Sequence, residues 1–228
     1  MKGRRALARR LVIAAAVVVL GPWALVVLLA AATPLPPELA SARAMSTSVV
    51  LRDRDGVALR ELAADDGDKA RWLSLAEMGD RLPRAVVAAE DRRFFRHPGV
   101  DPLALARAAA QLVTRGRIVS GGSTLTMQLA RTVSPHARRS VVGKVREMAL
   151  ALRIEASLSK GRILEEYLNR VELAPGLRGA EAASRYLFDK RPEELSLAEA
   201  ALLAGLPRGP AFYDPRRGTA RAVARRDR

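Results

Sequence analysis

The segment PRAVVAAEDRRFFRHPGVDPLALARAAAQLVTRG, residues 83–116, decides the fold class because it carries two helix starts. Pro83 fits the first turn of one helix, and Asp101 followed by Pro102 supplies a cap and a first-turn proline for another. Apolar residues recur at helical spacing after both starts. The segment therefore predicts two helices joined by a short connection.

Helical signals continue along the rest of the chain. The Ser-Leu-Ala-Glu sequences at 74–77 and 196–199 both fit a capping box. Further helices are predicted near 123–132, 140–157, 160–170, 179–187 and 196–205. Upstream, SVVLRDRDGVALRELA (48–63) is typical of a hairpin with Asp55-Gly56 as its turn. The chain after the linker is therefore predicted to be one mainly α domain with a small N-terminal β-hairpin.

The composition of the 228 residues excludes several classes of protein. The hydrophobic share of 49% is too high for a disordered chain, and the charged share of 28% is too high for one lying wholly in a membrane. Because there is no Cys and only two His, disulfides, thiol nucleophiles, cysteine metal sites and a three-histidine zinc site are excluded. Aromatic residues, at 4%, are too few for a base-stacking surface.

The net charge of +15 is concentrated in three segments. Residues 1–10, 134–162 and 208–228 each carry an excess of five positive charges, whereas the remaining charges cancel. Local positive patches of this kind favour phosphate-bearing partners, namely nucleic acid, anionic lipid headgroups or a pyrophosphate.

Residues 11–32 form an uncharged apolar run, LVIAAAVVVLGPWALVVLLAAA. As a helix this run would be about 33 Å long, enough to cross a hydrocarbon core of about 30 Å. A cleaved signal peptide is the alternative, since small residues follow, but signal cores are usually shorter. Basic residues precede the run and Glu38 is the first charge after it, which predicts a cytoplasmic N-terminus. The predicted organisation is a basic cytoplasmic tail (1–10), a single-pass transmembrane anchor (11–32), a linker (33–47) and an extracytoplasmic domain (48–228), which disfavours nucleic acid as partner.

Glu90 is the first candidate for chemistry because its helical neighbours are apolar. Val86 and Val87 lie four and three positions before it, and Phe94 lies four after. A carboxylate partly shielded from water in this way suits general-base work. The alternative is a surface carboxylate paired with a neighbouring arginine.

Glu147 is the second candidate, and basic residues surround it. Arg139, Lys144, Arg146 and Lys160 lie in the same segment. One interpretation is a solvated helix face with ion pairs. The other is a cationic cradle for a polyanionic leaving group, with the carboxylate positioning that group or a metal ion.

The segment SGGSTLTMQLAR, residues 120–131, places glycines before a helix start. Ser123 is predicted at the N-cap, where free N–H groups and hydroxyls can bind phosphate. An ordinary loop-to-helix junction is the alternative, because the lysine spacing of a P-loop is missing. His97 is predicted to order the turn before Asp101.

Taken in order, these segments resemble the peptidoglycan glycosyltransferases, glycosyltransferase family 51, which include monofunctional enzymes and the first domain of class A penicillin-binding proteins. The matching segments are EDRRFFRHPGVD (90–101), with the family's catalytic base, GSTLTMQ (122–128), KVRE (144–147), with its second essential Glu, and KGRILEEYLN (160–169). The resemblance covers roughly residues 50–228 and is closest to the 1C-type enzymes.

This resemblance implies a lysozyme-like domain that polymerises lipid II on a lipid-linked glycan strand, forming β-1,4 bonds with inversion and releasing lipid pyrophosphate. Glu90 and Glu147 would be the catalytic residues. The implied substrate contacts are Asp91, Phe94, Ser123, Thr124, Gln128, Arg131, Arg139, Lys144, Arg146 and Asn169. A divalent cation, Mg²⁺ or Mn²⁺, is the one cofactor it allows. The implied location is the outer face of the bacterial plasma membrane, with other cell-wall synthesis proteins as further partners.

The chain departs from the family pattern at four positions. Met127 stands where a Gln is common, which would remove a polar substrate contact, and Arg131 stands where Lys is common. Gly143 replaces a basic residue, and Asp189 replaces a usual Gly.

Two alternative functions remain at this point. A muramidase-like enzyme also uses paired carboxylates to cut glycans, and a noncatalytic membrane scaffold would retain the fold alone. The fifth motif of the family, Arg-x-x-x-Val-Leu, begins at Arg225 but Arg228 is reached before Val-Leu, so we expect a truncated domain.

Overall fold

The computed structural model describes residues 21–40, 49–55, 58–62, 72–116, 122–134, 140–174 and 177–227. Over these residues the chain is mainly helical. The helices are α1 (Pro37–Ala40), α2 (Leu75–Met78), α3 (Arg81–Glu90), α4 (Pro102–Arg115), α5 (Leu125–Val133), α6 (Val141–Ser157), α7 (Lys160–Arg170), α8 (Ala180–Phe188), α9 (Leu197–Gly205), α10 (Pro210–Tyr213) and α11 (Pro215–Arg226). Short 3-10 turns occur at Phe94–Arg96, Pro192–Glu194 and Leu206–Arg208.

Two small hairpins accompany the helices. Strands β1 (Val49–Arg52) and β2 (Ala58–Leu62) pair antiparallel, which confirms the predicted N-terminal hairpin. Residue 56 of its predicted turn lies outside the described residues. Strands β3 (Glu172–Ala174) and β4 (Leu177–Arg178) also pair antiparallel. This second hairpin was not predicted, because strands of two or three residues are too short to show an alternating pattern.

The helix boundaries follow the capping residues of the sequence. Both predicted capping boxes are present, at the starts of α2 and α9. Helix α7 has the predicted bounds, with Ser159 accepting a hydrogen bond from the N–H of Arg162. These caps satisfy N–H groups that a helix start leaves without an intrahelical acceptor.

Helix α5 lies at the centre of the domain. It packs against α6 and α7, while α9 packs against α3. Leu125, Met127 and Leu129 are fully buried in one hydrophobic core that also takes in Phe94 and Tyr167. Burying each such side chain stabilises the fold by about 1.5–3 kcal/mol. The buried face of α5 thereby holds its other face in a defined position.

A helical segment over residues 21–32 packs on the outside of this domain. Val26 and Ala30 are buried there in a small cluster with Ala149 of α6. Among the helices that the structure describes, none has both the length and the apolar character needed to cross a bilayer. The basic tail and the first ten residues of the predicted anchor, 11–32, lie outside the described residues.

The residues between this segment and the domain are attached to α7. Leu39 is buried in the main core, and Arg170 donates a hydrogen bond to the carbonyl oxygen of Glu38 at 3.2 Å. The guanidinium groups of Arg162 and Arg170 lie 5.2 and 5.6 Å from the Trp72 ring centroid. These contacts join Glu38 and Trp72, two positions of the chain that precede α2, to α7.

Candidate active site

Glu90 is the last residue of α3, and its position follows from the packing of that helix. Leu82 and Val86 bury the inner face of α3. The helix then ends at Glu90, whose side chain is only 5% exposed, on the wall of a cleft of about 910 Å³. A nearly buried carboxylate therefore lies beside a space large enough for a sugar.

Both oxygens of Glu90 accept hydrogen bonds from distant parts of the chain. Oε1 accepts from Nε of Arg208 at 2.9 Å, and Oε2 accepts from Nε2 of Gln128 at 3.2 Å. The Oε1 atom of Gln128 accepts in turn from the Tyr167 hydroxyl at 3.1 Å. Burial raises the pKa of the Tyr167 phenol well above its ordinary value, and the Glu90 charge raises it further, while Arg131 and Arg208 partly offset this. The phenol is therefore a hydrogen-bond donor at physiological pH.

Asp91 and His97 form a buried pair behind Glu90. The His97 Nε2 atom lies 3.1 Å from each Asp91 oxygen, and the Gly99 N–H donates to Nδ1 at 3.2 Å. Because Nδ1 accepts, the ring proton is on Nε2 and is donated to Asp91. Asp91 also accepts from the N–H of Leu125 at 3.0 Å, at the start of α5. His97 thus orders this turn, as the sequence predicted, and Asp91 joins the turn to α5.

The start of α5 differs from the prediction. Thr124, not Ser123, is the N-cap, and its Oγ1 accepts from the Met127 N–H at 3.1 Å while donating to the Gly99 carbonyl. The Leu125 N–H is bound to Asp91, so two of the first three N–H groups have internal acceptors. These two N–H groups are therefore not free to bind a phosphate, and the phosphate site at this helix start stays a prediction. Met127 is also fully buried, so a polar side chain there would face the core.

Glu147 lies beneath two cations. Its Oε1 pairs with Nε of Arg131 at 3.0 Å, and its Oε2 accepts from Nζ of Lys144 at 2.8 Å. The Glu147 side chain is 9% exposed, whereas those of Arg131 and Lys144 are 51% and 38% exposed. Lys144 also donates to the Ser123 hydroxyl at 2.7 Å. The carboxylate therefore holds two cations whose outer sides remain open to solvent.

The two carboxylates are connected through one face of α5. Gln128 binds Glu90, and Arg131 binds Glu147. Residues three apart on a helix are neighbours on its surface. Ser123, which binds Lys144, lines the same cleft as Glu90. Glu90 and Glu147 are thus bound by two side chains of α5 that lie about one helical turn apart.

Comparisons with known proteins identify the family of this chain. Residues 55–228 match the family model described as Transglycosylase. The chain belongs to the transglycosylase family. Penicillin-binding protein 1A of Aquifex aeolicus (strain VF5) is 44% identical over 159 residues, which is 70% of this chain and 22% of that protein.

Two proteins of Escherichia coli (strain K12) are also similar. Penicillin-binding protein 1C is 43% identical over 77% of this chain and 23% of its own length, and penicillin-binding protein 1A is 36% identical over 95% and 25%. The chain thus spans about a quarter of the length of these relatives. The presence of a 1C protein among them supports the 1C-type resemblance. A solved structure of penicillin-binding protein 1A from Haemophilus influenzae has a TM-score of 0.43 and 21% identity, over 81% of this chain and 18% of that one.

Two residues that the transglycosylase resemblance implied as substrate contacts lie in the interior instead. Phe94 is fully buried, with Nζ of Lys160 4.4 Å from its ring centroid. The Asn169 amide accepts from the Leu73 N–H at 2.9 Å and donates to the carbonyls of Leu73 and Glu165, both at 2.8 Å. Their side chains are occupied by packing and by internal hydrogen bonds, so they support the site without facing it.

Two predicted substrate contacts remain, and the structure describes one of them. Arg146 is exposed on α6, and Arg139 lies outside the described residues.

Arg208, which binds Glu90, was not predicted. It lies 118 positions from Glu90, and the only local signal was that it opens the third basic segment. The cleft also has Arg92, Arg93, Arg107 and Arg226 in its walls.

The residues around Glu147 do not fit a divalent cation. Both of its oxygens are already paired with Arg131 and Lys144. Within the part of the chain that the structure describes, no group of three or more acidic or histidine side chains is arranged to hold a metal ion. Positive side chains around a single carboxylate repel a cation, so the side chains around Glu147 disfavour a divalent ion.

Proposed function

We propose that this chain is a peptidoglycan glycosyltransferase that polymerises lipid II into β-1,4-linked glycan strands with inversion. The observation that carries the proposal is that Gln128, which binds Glu90 on the cleft wall, lies one turn before Arg131 on α5, and that Arg131 and Lys144 of α6 both bind Glu147. One end of such a site can remove a proton while the other stabilises a departing anion. Membership of the transglycosylase family supports the same activity.

Glu90 acts as the general base of the transfer. It takes the proton of the acceptor GlcNAc 4-hydroxyl as that oxygen forms a bond to the anomeric carbon of the donor. The bond between this carbon and the lipid pyrophosphate breaks on the opposite side, and its electron pair leaves with the pyrophosphate. Displacement from the opposite side converts an α-linked donor into a β-1,4 product. Arg208 and Gln128 hold the Glu90 carboxylate in place for this step.

Arg131 and Lys144 stabilise the leaving group. Negative charge develops on the pyrophosphate as the bond breaks, and cations already held in position stabilise it without reorganising. Glu147 supplies that positioning because it binds one cation through each oxygen. Its role is to orient the cations rather than to transfer a proton.

The membrane is the place of this reaction, because both substrates carry lipid tails. An anchor over residues 11–32 would confine the domain to the outer face of the bacterial plasma membrane, where the lipid-linked substrates are concentrated. Lipid II, the lipid-linked glycan strand and other cell-wall synthesis proteins are then its partners.

Glycan cleavage fits the same site less well. A glycosidase needs a protonated acid beside the glycosidic oxygen. Both oxygens of Glu90 accept hydrogen bonds, and Glu147 is bound to two cations. Glu90 is thus surrounded by hydrogen-bond donors, as a base would be, and Glu147 orients two cations. We therefore favour glycosyl transfer over glycan cleavage.

The test is polymerisation of lipid II by the full chain in detergent or nanodiscs. Glu90→Gln should lower kcat by about 100- to 10,000-fold, because the amide cannot accept the proton. Glu193→Gln, an identical change at an exposed surface position, should keep the wild-type rate. Normal polymerisation by Glu90→Gln would overturn the base assignment. Release of fragments from finished peptidoglycan, with no polymer from lipid II, would overturn the proposed function.

A further inference from the structure

The Gln128 amide lies between a donor and an acceptor and is the direct contact of Glu90 on its buried side. Its Oε1 accepts from the Tyr167 hydroxyl at 3.1 Å, and its Nε2 donates to Oε2 of Glu90 at 3.2 Å. The three residues come from α3, α5 and α7, which are separate elements of the core. Tyr167 itself is 2% exposed. The chain of hydrogen bonds therefore runs from the interior of the domain to the wall of the cleft.

The direction of this chain is determined by the Glu90 carboxylate, which only accepts hydrogen bonds. A reversed Gln128 amide would place its oxygen against that carboxylate, and the hydrogen bond to Glu90 would be lost because acceptor would face acceptor. With the Gln128 NH₂ directed at Glu90, its Oε1 faces the Tyr167 hydroxyl. Burial raises the pKa of the Tyr167 phenol, so the hydroxyl keeps its proton and donates to this oxygen. Tyr167 thus holds the Gln128 amide in the orientation that donates to Glu90.

The two oxygens of Glu90 consequently have different surroundings. Oε2 is bound from the interior through Gln128, whereas Oε1 is bound by Arg208, which is 44% exposed and lines the cleft with Glu90. Oε1 is therefore the oxygen nearer to a substrate in the cleft. Holding Oε2 from behind determines the direction in which Oε1 can accept a proton.

We propose that Tyr167 is a positioning residue for the transfer reaction, acting through Gln128 to orient the Glu90 carboxylate. This inference rests on the proposed function, because it assigns a role in the step that Glu90 performs. It also gives Gln128 a different role from the donor-sugar contact that the family resemblance implied. A sugar contact would change KM, whereas a misoriented base changes kcat.

The first measurement is the steady-state polymerisation of lipid II by Tyr167→Phe in the full chain. We expect kcat to fall about 10- to 100-fold with KM within about twofold of wild type, because a small misplacement of a catalytic group is costly. Tyr213→Phe removes the same hydroxyl from another ring packed against the core and should leave kcat unchanged. Thermal melts of both variants report folding. An unchanged kcat in Tyr167→Phe would overturn the inference.

The second measurement separates positioning from a general structural effect. Gln128→Met keeps the length of the side chain but removes both hydrogen bonds, and it should lower kcat by a similar factor. Tyr167→Phe introduced into the Gln128→Met chain should then lower kcat no further, since Tyr167 acts only through the amide. Additive losses, or a rise in KM as the main effect of Gln128→Met, would contradict the inference. If Tyr167→Phe is normal while Glu90→Gln is inactive, the positioning role alone fails; if Glu90→Gln is active, the proposed base fails.

Discussion

Arg208 is an exposed side chain that donates a hydrogen bond directly to Glu90. Its Nε lies 2.9 Å from Oε1, and 44% of the side chain is exposed. An ion pair of this exposure contributes little to folding. Arg208 instead acts in the site, where it holds the Glu90 carboxylate and adds positive charge to the cleft wall.

We therefore predict that Arg208→Ala lowers kcat/KM for lipid II by about tenfold, corresponding to about 1.4 kcal/mol of transition-state stabilisation. Arg208→Lys should recover only part of this loss in kcat/KM, because an ammonium group does not reproduce the Nε–H geometry. Polymerisation kinetics measure both. Arg191→Ala, which removes an arginine bound to surface glutamates, is the matched control. A wild-type rate for Arg208→Ala would show that Arg208 does not position Glu90 for the reaction.

Asp189 explains one departure from the family pattern. It is the C-cap of α8, with φ 56° and ψ 32°, in the left-handed region where glycine is favoured. The left-handed backbone at this helix end therefore explains why Gly is usual at this position. Aspartate is among the few residues that adopt this conformation at moderate cost.

Asp189→Gly should accordingly stabilise the domain by about 0.5–1 kcal/mol, the relief of backbone strain exceeding the added entropy of the unfolded glycine. Denaturant unfolding of both chains measures the difference. Asp227→Gly, at an exposed position near the end of the chain, should change the free energy of unfolding by less than about 0.5 kcal/mol. A destabilised Asp189→Gly would mean that the charge of Asp189 near Arg185 outweighs the strain.

At the scale of elements, the turn after α3 is held against α6 at Gly99. Gly99 has φ +93°, and a Cβ there would lie 2.7 Å from the Ala151 carbonyl oxygen. The same residue donates to His97 and accepts from Thr124. One glycine thus connects the turn that follows Glu90 with the start of α5.

We predict that Gly99→Ala destabilises the domain by about 2–4 kcal/mol, through left-handed strain together with displacement of α6 backbone. It should also lower polymerisation in the fraction that folds, since the movement reaches Asp91 and α5. Gly116→Ala is the matched control, because Gly116 also has positive φ but no neighbour within 4 Å of an added Cβ. If both variants lost the same free energy of unfolding, the effect would come from backbone strain alone. Unfolding curves and polymerisation rates decide between these outcomes.

Helix α5 combines core residues on one face with glutamate-binding residues on the other. Its inner positions, including Leu125 and Leu129, are core residues, whereas Gln128 and Arg131 each bind one of the two glutamates. The 3.6-residue period makes both roles compatible within nine residues. Rigid packing on one side therefore determines the spacing of the polar groups on the other.

At the scale of the whole molecule, the N-terminal helical segment and the domain form a direct contact. Val26 is 2% exposed against α6, whereas its neighbour Val27 is 47% exposed. Helix α6 also carries Lys144 and Glu147. The second half of the predicted anchor, residues 21–32, thus packs on the helix that carries Lys144 and Glu147.

Val26→Ala should destabilise the full chain by about 1–2 kcal/mol, the loss expected for about two buried methylene equivalents. Val27→Ala, an identical change one position along, should cost less than about 0.5 kcal/mol. Denaturant unfolding in one detergent, with tryptophan fluorescence from Trp23 and Trp72 as reporter, compares them. Equal effects of the two substitutions would show that the contact with α6 contributes nothing to stability.

Local signals were enough to predict most of the fold and part of the site. Capping residues and apolar spacing predicted α7 with its observed bounds, and Asp55-Gly56 predicted the first hairpin. Glu90 and Glu147 were identified because their near neighbours along the chain were unusual. Such signals depend on residues within a few positions of each other, and these are visible in any sequence.

Only the tertiary structure decided which groups meet at Glu90 and which candidates face inward. Arg208 and Tyr167 reach the site from positions distant in the chain, while Phe94 and Asn169 turn into the core. A periodic pattern shows which residues share a face of a helix, but not which other element covers that face. The chain itself therefore determined the helices, the hairpin and the two carboxylates. The packing of α5 against its neighbours determined which side chains hold them, because burial depends on contacts between residues far apart in sequence.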